Sequence, residues 1–449
     1  MQKNVDLLNG PVLSSLSRLA LPIMATSLIQ MAYNLTDMIW IGRIGSNAVA
    51  AVGAAGMYMW LSNGLASLAK MGGQVNAGYS LGSGRREEAA KYVSNAFQLT
   101  LLLGLLYGSI CVVFATPLIG FFNLNSPNVI ADAHIYLQIT CGFVAFSFLN
   151  QTFTGIFTAI GNSKAAFFAT TIGLVINIFL DPALIFGIGP FPCLDVMGAA
   201  IATVLAQAIV TLIFIYFASK DQFIFQYVTL LKKPNTTYIL SILRLGLPTC
   251  IQNMLFTGIS MIIARLVASY GDAAVAVQKV GSQIESISWM TSDGFAAAVN
   301  SFIAQNRGAG NKARIKKGYT CAMEIVLLWG IICTLLLMLC PAPIFRIFIT
   351  ETAILPMGID YLVILGVSQL PMSIEITTAG AFAGYGKTIP PSIISIVFTA
   401  IRIPLALMLI QTPLELNGIW WSITISSIFK GILLLIWFII ILKKDMRKV

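Results

Sequence analysis

Asp37 stands in the segment "NLTDMIWIG", inside an apolar stretch that begins near Leu16. A charge at the middle of a membrane-spanning helix costs about 2.5–3.5 kcal/mol on insertion scales. Whatever offsets that cost is a guide to the chemistry. Further along, "NIFLD" places Asn177 and Asp181 four residues apart, on one helical face. Thr203 lies near the start of the next apolar stretch. If these stretches are spans, Asp181 lies about seven residues, roughly 10 Å, from the outer end of its helix. Thr203 is about six residues into the following helix, and Asp37 about four to seven from the outer end of the first. Asp37, Asn177, Asp181 and Thr203 thus fall at similar depth. Two carboxylates, an amide and a hydroxyl suit a small hard cation. Alternatively, two neighbouring carboxylates share a proton, because like charges in one site resist joint ionisation. Either arrangement serves a site that couples ion movement to another event.

Other intramembrane groups are fewer and read less sharply. Glu285 lies mid-span, six residues after Lys279. It either faces a cleft and attracts a cationic substrate, or forms a buried ion pair with Lys279 or another polar neighbour. Six residues is a poor helical spacing for direct contact. Asp293 and Glu375 are further acids within spans. Met31, Tyr33, Met57, Met59 and Met290 suit an adaptable cavity lining, though each alone reads first as packing. The seven cysteines are scattered with no CxxC pair, and read as reduced packing residues. A single histidine, His134, leaves almost nothing for an imidazole metal site or a His-dependent triad. No cofactor and no catalytic residue is expected; the ligand expected at the carboxylates is a small cation, such as Na+, or H+.

The elements that must position these groups follow from composition. The 449 residues are 57% hydrophobic and 10% charged, with mean hydropathy +0.87. Soluble domains carry about 25% charged residues, so this is an integral membrane protein embedded in the lipid bilayer. Arg18 interrupts the first apolar stretch and no small-residue cleavage pattern follows, so the first helix is expected to stay. Apolar runs place twelve spans near 16–41, 49–78, 93–118, 131–158, 165–188, 197–219, 241–269, 273–302, 319–347, 354–384, 391–411 and 417–442.

The net charge of +10 sorts by loop rather than suggesting nucleic acid. With the N-terminus inside, Lys3, Arg18, the 82–91 and 307–317 turns, the central connection and the Lys443, Lys444, Arg447, Lys448 tail share one side. With Lys164 and Lys387, twenty of the 27 Lys and Arg fall on that side, against Arg43, Arg265 and Arg346 opposite. Both termini are therefore expected in the cytoplasm.

The chain also repeats itself. "RLALP" at 18–22 recurs as "RLGLP" at 244–248, and "LGSG" at 81–84 aligns with "RGAG" at 307–310. "GIFTAIGNS" at 155–163 matches "GAFAGYGKT" at 380–388. Six helices per repeat give both halves the same orientation. The expectation is an all-α membrane protein of two pseudo-symmetric six-helix bundles, 1–225 and 226–449, with a central cleft. Ile263 occupies the repeat position of Asp37, so the cation site is not duplicated. The Gly-rich turns follow no strand and lack GxxxxGK[ST] spacing, so they read as helix breaks rather than phosphate loops.

The "ALPI…YNLTDMIWIGRIGSNAVAAVG" opening, the "LGSGRREEA" turn, "NIFLDPALIFGIG", "GAAIATVLAQ" and the repeated second half resemble the multidrug and toxic compound extrusion (MATE) transporters, prokaryotic branch. The resemblance covers nearly the whole chain. It implies a cation or proton site at Asp37, Asn177, Asp181 and Thr203, and places Gln30 and Asn150 along the first-half cavity. It implies a monomeric, non-enzymatic antiporter that exports small amphipathic, often cationic compounds by alternating access, coupled to inward H+ or Na+. Some branches place acids in the seventh and tenth helices; the seventh here has none, and Glu375 is offset from that pattern. Tyr33, Glu285 and Glu375 complete the candidate substrate cavity. A flippase for a lipid-linked saccharide has similar topology but favours a cavity rich in Arg and Lys. A membrane-embedded enzyme would need a nucleophile motif or a His/Asp/Glu cluster, and none is found in the sequence.

The charge bias makes a direct prediction. Cysteines introduced at 82–91 or 307–317 should resist an impermeant thiol reagent added outside intact cells. Labelling there would overturn the twelve-span assignment.

Overall fold

The computed structural model describes residues 4–122, 124, 126–221, 225–230, 232–348 and 353–446. Lys3, Arg447 and Lys448 of the basic termini lie outside these. Sixteen α-helices carry the described chain: α1 Val12–Ile44, α2 Ser46–Gly82, α3 Arg86–Val113, α4 Ala115–Gly120, α5 Pro127–Gly142, α6 Val144–Ala159, α7 Ser163–Phe186, α8 Asp195–Lys220, α9 Thr236–Ala268, α10 Asp272–Gly308, α11 Lys312–Leu339, α12 Pro341–Arg346, α13 Leu355–Gly366, α14 Gln369–Gly384, α15 Ile389–Ile410 and α16 Leu416–Met446. No strand occurs among the described residues.

Eight of these helices are long and apolar enough to cross a bilayer. Two bent pairs, α5 with α6 (43°) and α13 with α14 (45°), raise the number to ten. The second bend falls between Gly366 and Gln369, just ahead of Pro371, whose missing N–H removes a ladder bond. The remaining two expected spans are α2 and α10, each 37 residues long. Their apolarity is diluted by polar residues on buried faces: Ser62, Gln74 and Ser80 in α2, and Ser288, Ser292, Asn300 and Asn306 in α10. Helices lined this way sit inside a bundle, where neighbouring helices rather than lipid meet the polar face. Twelve spans in two repeats describe the fold.

Asn162 caps α7 by accepting from Ala165 N at 3.3 Å, and Asn311 caps α11 by accepting from Arg314 N at 3.0 Å. The turns before α3 and α11 repeat with the sequence. The "LGSG" and "RGAG" turns close alike, Arg85 N donating to Ser80 O and Asn311 N to Asn306 O, both at 2.9 Å. Gly84 (φ +75°) and Gly310 (φ +71°) supply the left-handed residue each turn needs. The Gly-rich turns are thus helix breaks. All seven cysteines are free thiols.

The chain forms two compact units. One holds Asn4, Val5 and Leu21–Cys250; the other holds Asp6–Ala20 and Ile251–Val449. Compared with a cut at 225/226, the linker and the first turns of α9 join the first unit, and the segment before Leu21 joins the second. Side chains explain both exchanges. In the first unit Ile242 and Cys250 are buried with Leu68, Ala69, Ala96 and Leu99. Gln98 Nε2 donates to the carbonyls of Leu230 and Lys232 at 2.8 and 2.7 Å. In the second, Asn306 Nδ2 and Arg314 Nε both donate to Leu7 O, at 3.0 and 3.1 Å. Just before α1, the backbone N–H groups of Asn9 and Leu8 hold the Asp6 carboxyl below its ordinary range.

The α2–α9 contact of the first unit depends on glycine. A Cβ at Gly246 would overlap the Leu68 carbonyl, and one at Gly72 the Ile242 carbonyl. Gly246→Ala should therefore destabilise the protein by about 1–3 kcal/mol through overpacking. Thermal unfolding of purified protein checks this; an unchanged transition would contradict the close approach.

Candidate functional site

In the first unit, α1 carries Tyr33 and Asp37 one turn apart on a common face. Asn177 and Asp181 project one turn apart from α7, only 2% and 0% exposed. The Asp37 and Asp181 carboxyls face each other, and Asn177 lies beside Asp181. None of these approaches closes to a hydrogen bond. Asp37 Oδ1, both Asp181 oxygens and Asn177 Nδ2 are shielded from solvent without a hydrogen-bond partner. Thr203 of α8 completes the group through Tyr33, with 3.5 Å between the two hydroxyls.

The surroundings are dry. Ile41, Ile185, Val196, Ala199 and Tyr136 belong to one buried cluster. Trp40 meets Phe186 edge-on at 6.2 Å, and Arg43 lies over the Trp40 ring at 4.8 Å. Buried polar atoms without partners cost free energy, and ionised ones cost more. The cluster therefore has a standing demand for something that binds oxygen: a proton shared between the carboxyls, or a small cation. An all-oxygen donor set of carboxylate, amide and hydroxyl fits a hard ion.

The structure adds one residue that the sequence reading omitted. Tyr136 of α5, 7% exposed, lies within electrostatic range of both carboxyls, as does Tyr33. Tyr33, read from sequence as cavity lining, is thus part of the carboxylate cluster. The other two residues proposed for the first-half cavity are placed differently. Asn150 bridges α6 and α8, donating to Gln207 Oε1 at 2.7 Å and to Gln207 O at 2.9 Å, and accepting from Thr211 Oγ1 at 2.8 Å. Gln30 donates to Asn34 Oδ1 along α1, at 3.3 Å.

The second unit holds different chemistry. Glu375 of α14 accepts from Lys430 of α16 at 2.9 Å and from Ser395 of α15 at 3.1 Å. Both charged residues are buried, at 8% and 4% exposed. Arg402 of α15 donates to the hydroxyls of Ser426 (2.6 Å) and Ser427 (3.2 Å). Glu285 faces Tyr361 and Gln369 and makes no ion pair with Lys279. Its Oε1 is buried without a hydrogen-bond partner. Asp293 is exposed on α10. Helix spacing in the sequence points to no partner for Arg402 or Lys430, because those partners come from other helices.

A family model described as MatE matches residues 22–183 and 248–408, one segment in each repeat. The chain is 29% identical over 428 residues to a probable multidrug resistance protein NorM of Thermotoga maritima, covering 94% of this chain and 91% of that protein. It is 23% identical to an FAD transporter of Shewanella oneidensis, covering 96% and 95%. Among solved structures, an outward-facing multidrug resistance MATE family transporter of the MOP superfamily matches with TM-score 0.91 at 24% identity, over 99% of each chain.

The Glu375–Lys430 pair yields a stability prediction. Lys430→Met leaves a buried carboxylate without its ammonium partner, and should cost about 3–5 kcal/mol. Adding Glu375→Gln should restore most of that loss, since the uncompensated charge is gone. Denaturation of the single and double variants reads both effects; a single variant as stable as the parent would refute the pairing.

Proposed function

The chain belongs to the MatE family, and from that premise we propose that it is a secondary active exporter of small amphipathic, often cationic compounds, driven by inward H+ or Na+. Transport itself accords with the family and with the multidrug transporters among the relatives. The coupling reading rests on one observation: two carboxylates from separate helices, Asp37 and Asp181, meet in an apolar surround with unpartnered oxygens.

The proposed cycle uses that demand. A proton or sodium ion entering the cluster neutralises charge and pulls α1, α7 and α8 toward common oxygens. Losing it restores repulsion between the two carboxylates. The cluster thus favours one packing of these helices when loaded and another when empty. The driving force is limited by the ion's difference in affinity between the two arrangements. Because Asp37 and Asp181 interact strongly, they load and unload as one unit. Tyr33 ties the unit to Thr203 on α8. Alternating access in a two-repeat bundle converts such local repacking into exposure on one side or the other. In this reading the protein works as a monomer in the bacterial cytoplasmic membrane with both termini inside, as the Lys and Arg bias favours. The relatives' names divide between drugs and FAD, so the family alone does not choose the substrate.

The test is transport in proteoliposomes with separately imposed pH and sodium gradients and ethidium as the reporter. Asp37→Asn and Asp181→Asn should each reduce gradient-driven efflux to the passive leak, with unfolding temperatures retained. The double variant should be little worse than either single, because one unit has already failed. Efflux by Asp37→Asn at the parent rate under either gradient would sink the coupling role.

A further inference from the structure

The second unit contains a cavity of about 350 Å³ between α9, α10, α13, α15 and α16. That volume suits a small-molecule site. Its lining is the repeat counterpart of the first unit's carboxylate cluster. The two family segments start 226 residues apart and end 225 apart. At those offsets Tyr33 corresponds to Ile259, Asp37 to Ile263, Tyr136 to Tyr361, Asn177 to Arg402 and Asp181 to Ala406. For α8 and α16 the offset is 220, and the backbone marks it. Asp195 and Glu415 each adopt φ +45°. Gly198 packs on Leu184 and Gly418 on Leu409. Thr203 then corresponds to Ile423. Of these six counterparts, all but Ala406 line the cavity.

The backbone position is kept while the polarity is reversed. Two carboxylates have become Ile263 and Ala406, and an amide has become a guanidinium. Arg402 is 7% exposed, and no carboxylate oxygen lies within ion-pair distance of it among the described residues. Glu375 and Glu285 act on it only at longer range, and Glu375 is committed to Lys430. The Arg402 fork is oriented from behind by Ser426 and Ser427. Lys279, exposed on α10, supplies a second cation to the lining, which includes no acid. Phe256, Ile259, Ile263 and Val267 make an apolar wall. Tyr361 is held by edge-on contact with Trp420, ring centroids 5.0 Å apart, and Trp420 Nε1 donates to Gln278 at 3.3 Å.

We propose that this cavity is an anion subsite that seats the carboxylate or phosphate head of an amphipathic compound on Arg402, with Lys279 beside it and the apolar body along the α9 wall. A guanidinium removed from water gains most from a planar or tetrahedral oxyanion, which it meets with two parallel N–H donors. The proposal rests on the exporter reading for the source of the ligand, and extends the substrate class to anions and zwitterions. An anionic lipid head presents the same chemistry, and the test separates the two sources.

The probe is a fluorescent undecanoate, with its primary amide as the neutral isostere. Both are titrated into the full-length protein in phosphatidylcholine nanodiscs. The carboxylate should bind saturably. Arg402→Gln should weaken it about tenfold or more, the scale of a lost charge-assisted contact, and leave amide binding unchanged. Ile263→Asp keeps Arg402 but returns a carboxylate to the wall, and should abolish probe binding; it covers the case in which Arg402→Gln does not fold. In phosphatidylglycerol nanodiscs, weakened probe binding would identify a lipid head as the natural occupant, and unchanged binding a soluble solute; both keep the subsite. Equal affinity for carboxylate and amide, or full carboxylate binding by Ile263→Asp, overturns it. Asp37→Asn should bind the probe like the parent while failing to transport. A failure of coupling is therefore read in flux and a failure of this subsite in binding.

Discussion

The burial of a few charges among apolar helices constrains everything else in this protein. In hydrocarbon there is no water to satisfy an ionised side chain, so each must find its partner in the protein. The two units answer differently. In the first, Asp37 and Asp181 are brought together without a cation from the protein, and Asp37 Oδ1 and both Asp181 oxygens stay unpartnered. In the second, Glu375 is matched by Lys430 and steadied by Ser395. The facing carboxylates, which no cation of the protein neutralises, are the physical ground on which coupling is proposed for the first unit.

Both units nevertheless rest on one backbone plan. The left-handed glycines at 84 and 310 and the φ +45° residues at 195 and 415 recur at the repeat offsets. Backbone hydrogen bonds and close helix contacts hold these features, and they tolerate little change. Side chains that project into the bundle are freer. Asn150 satisfies itself between α6 and α8, while its counterpart Glu375 requires an ammonium. The scaffold thus offers the same cavity twice, and its chemistry is set by a handful of substitutions.

The exchange of first-helix segments has a similar origin. Residues 6–20 pack with the second unit and the first turns of α9 with the first. A duplicated sequence invites a cut at its midpoint. The actual boundary follows where Ile242 and the Leu7 carbonyl find partners, and those are chosen by packing rather than by chain order.

Much of this was legible in the sequence because it depends on short-range regularities. Apolar run lengths showed the helices, Lys and Arg counts suggested their orientation, and matching motifs revealed the repeat. The i,i+4 spacing of Asn177 and Asp181 placed both on one face, and depth counting brought Asp37 and Thr203 alongside. Such inferences need only helix geometry and the cost of burying charge. Apolar run length served α2 and α10 least well, because their buried faces are polar. Tertiary structure alone decided the rest. It brought Tyr136 to the carboxylates, joined Lys430 to Glu375 across 55 positions, and set Arg402 against Ser426 and Ser427. It also linked Asn150 to Gln207 and Thr211. These outcomes depend on the rotation and register of neighbouring helices. Helix periodicity leaves both undetermined, because it fixes which residues share a face but not what that face meets.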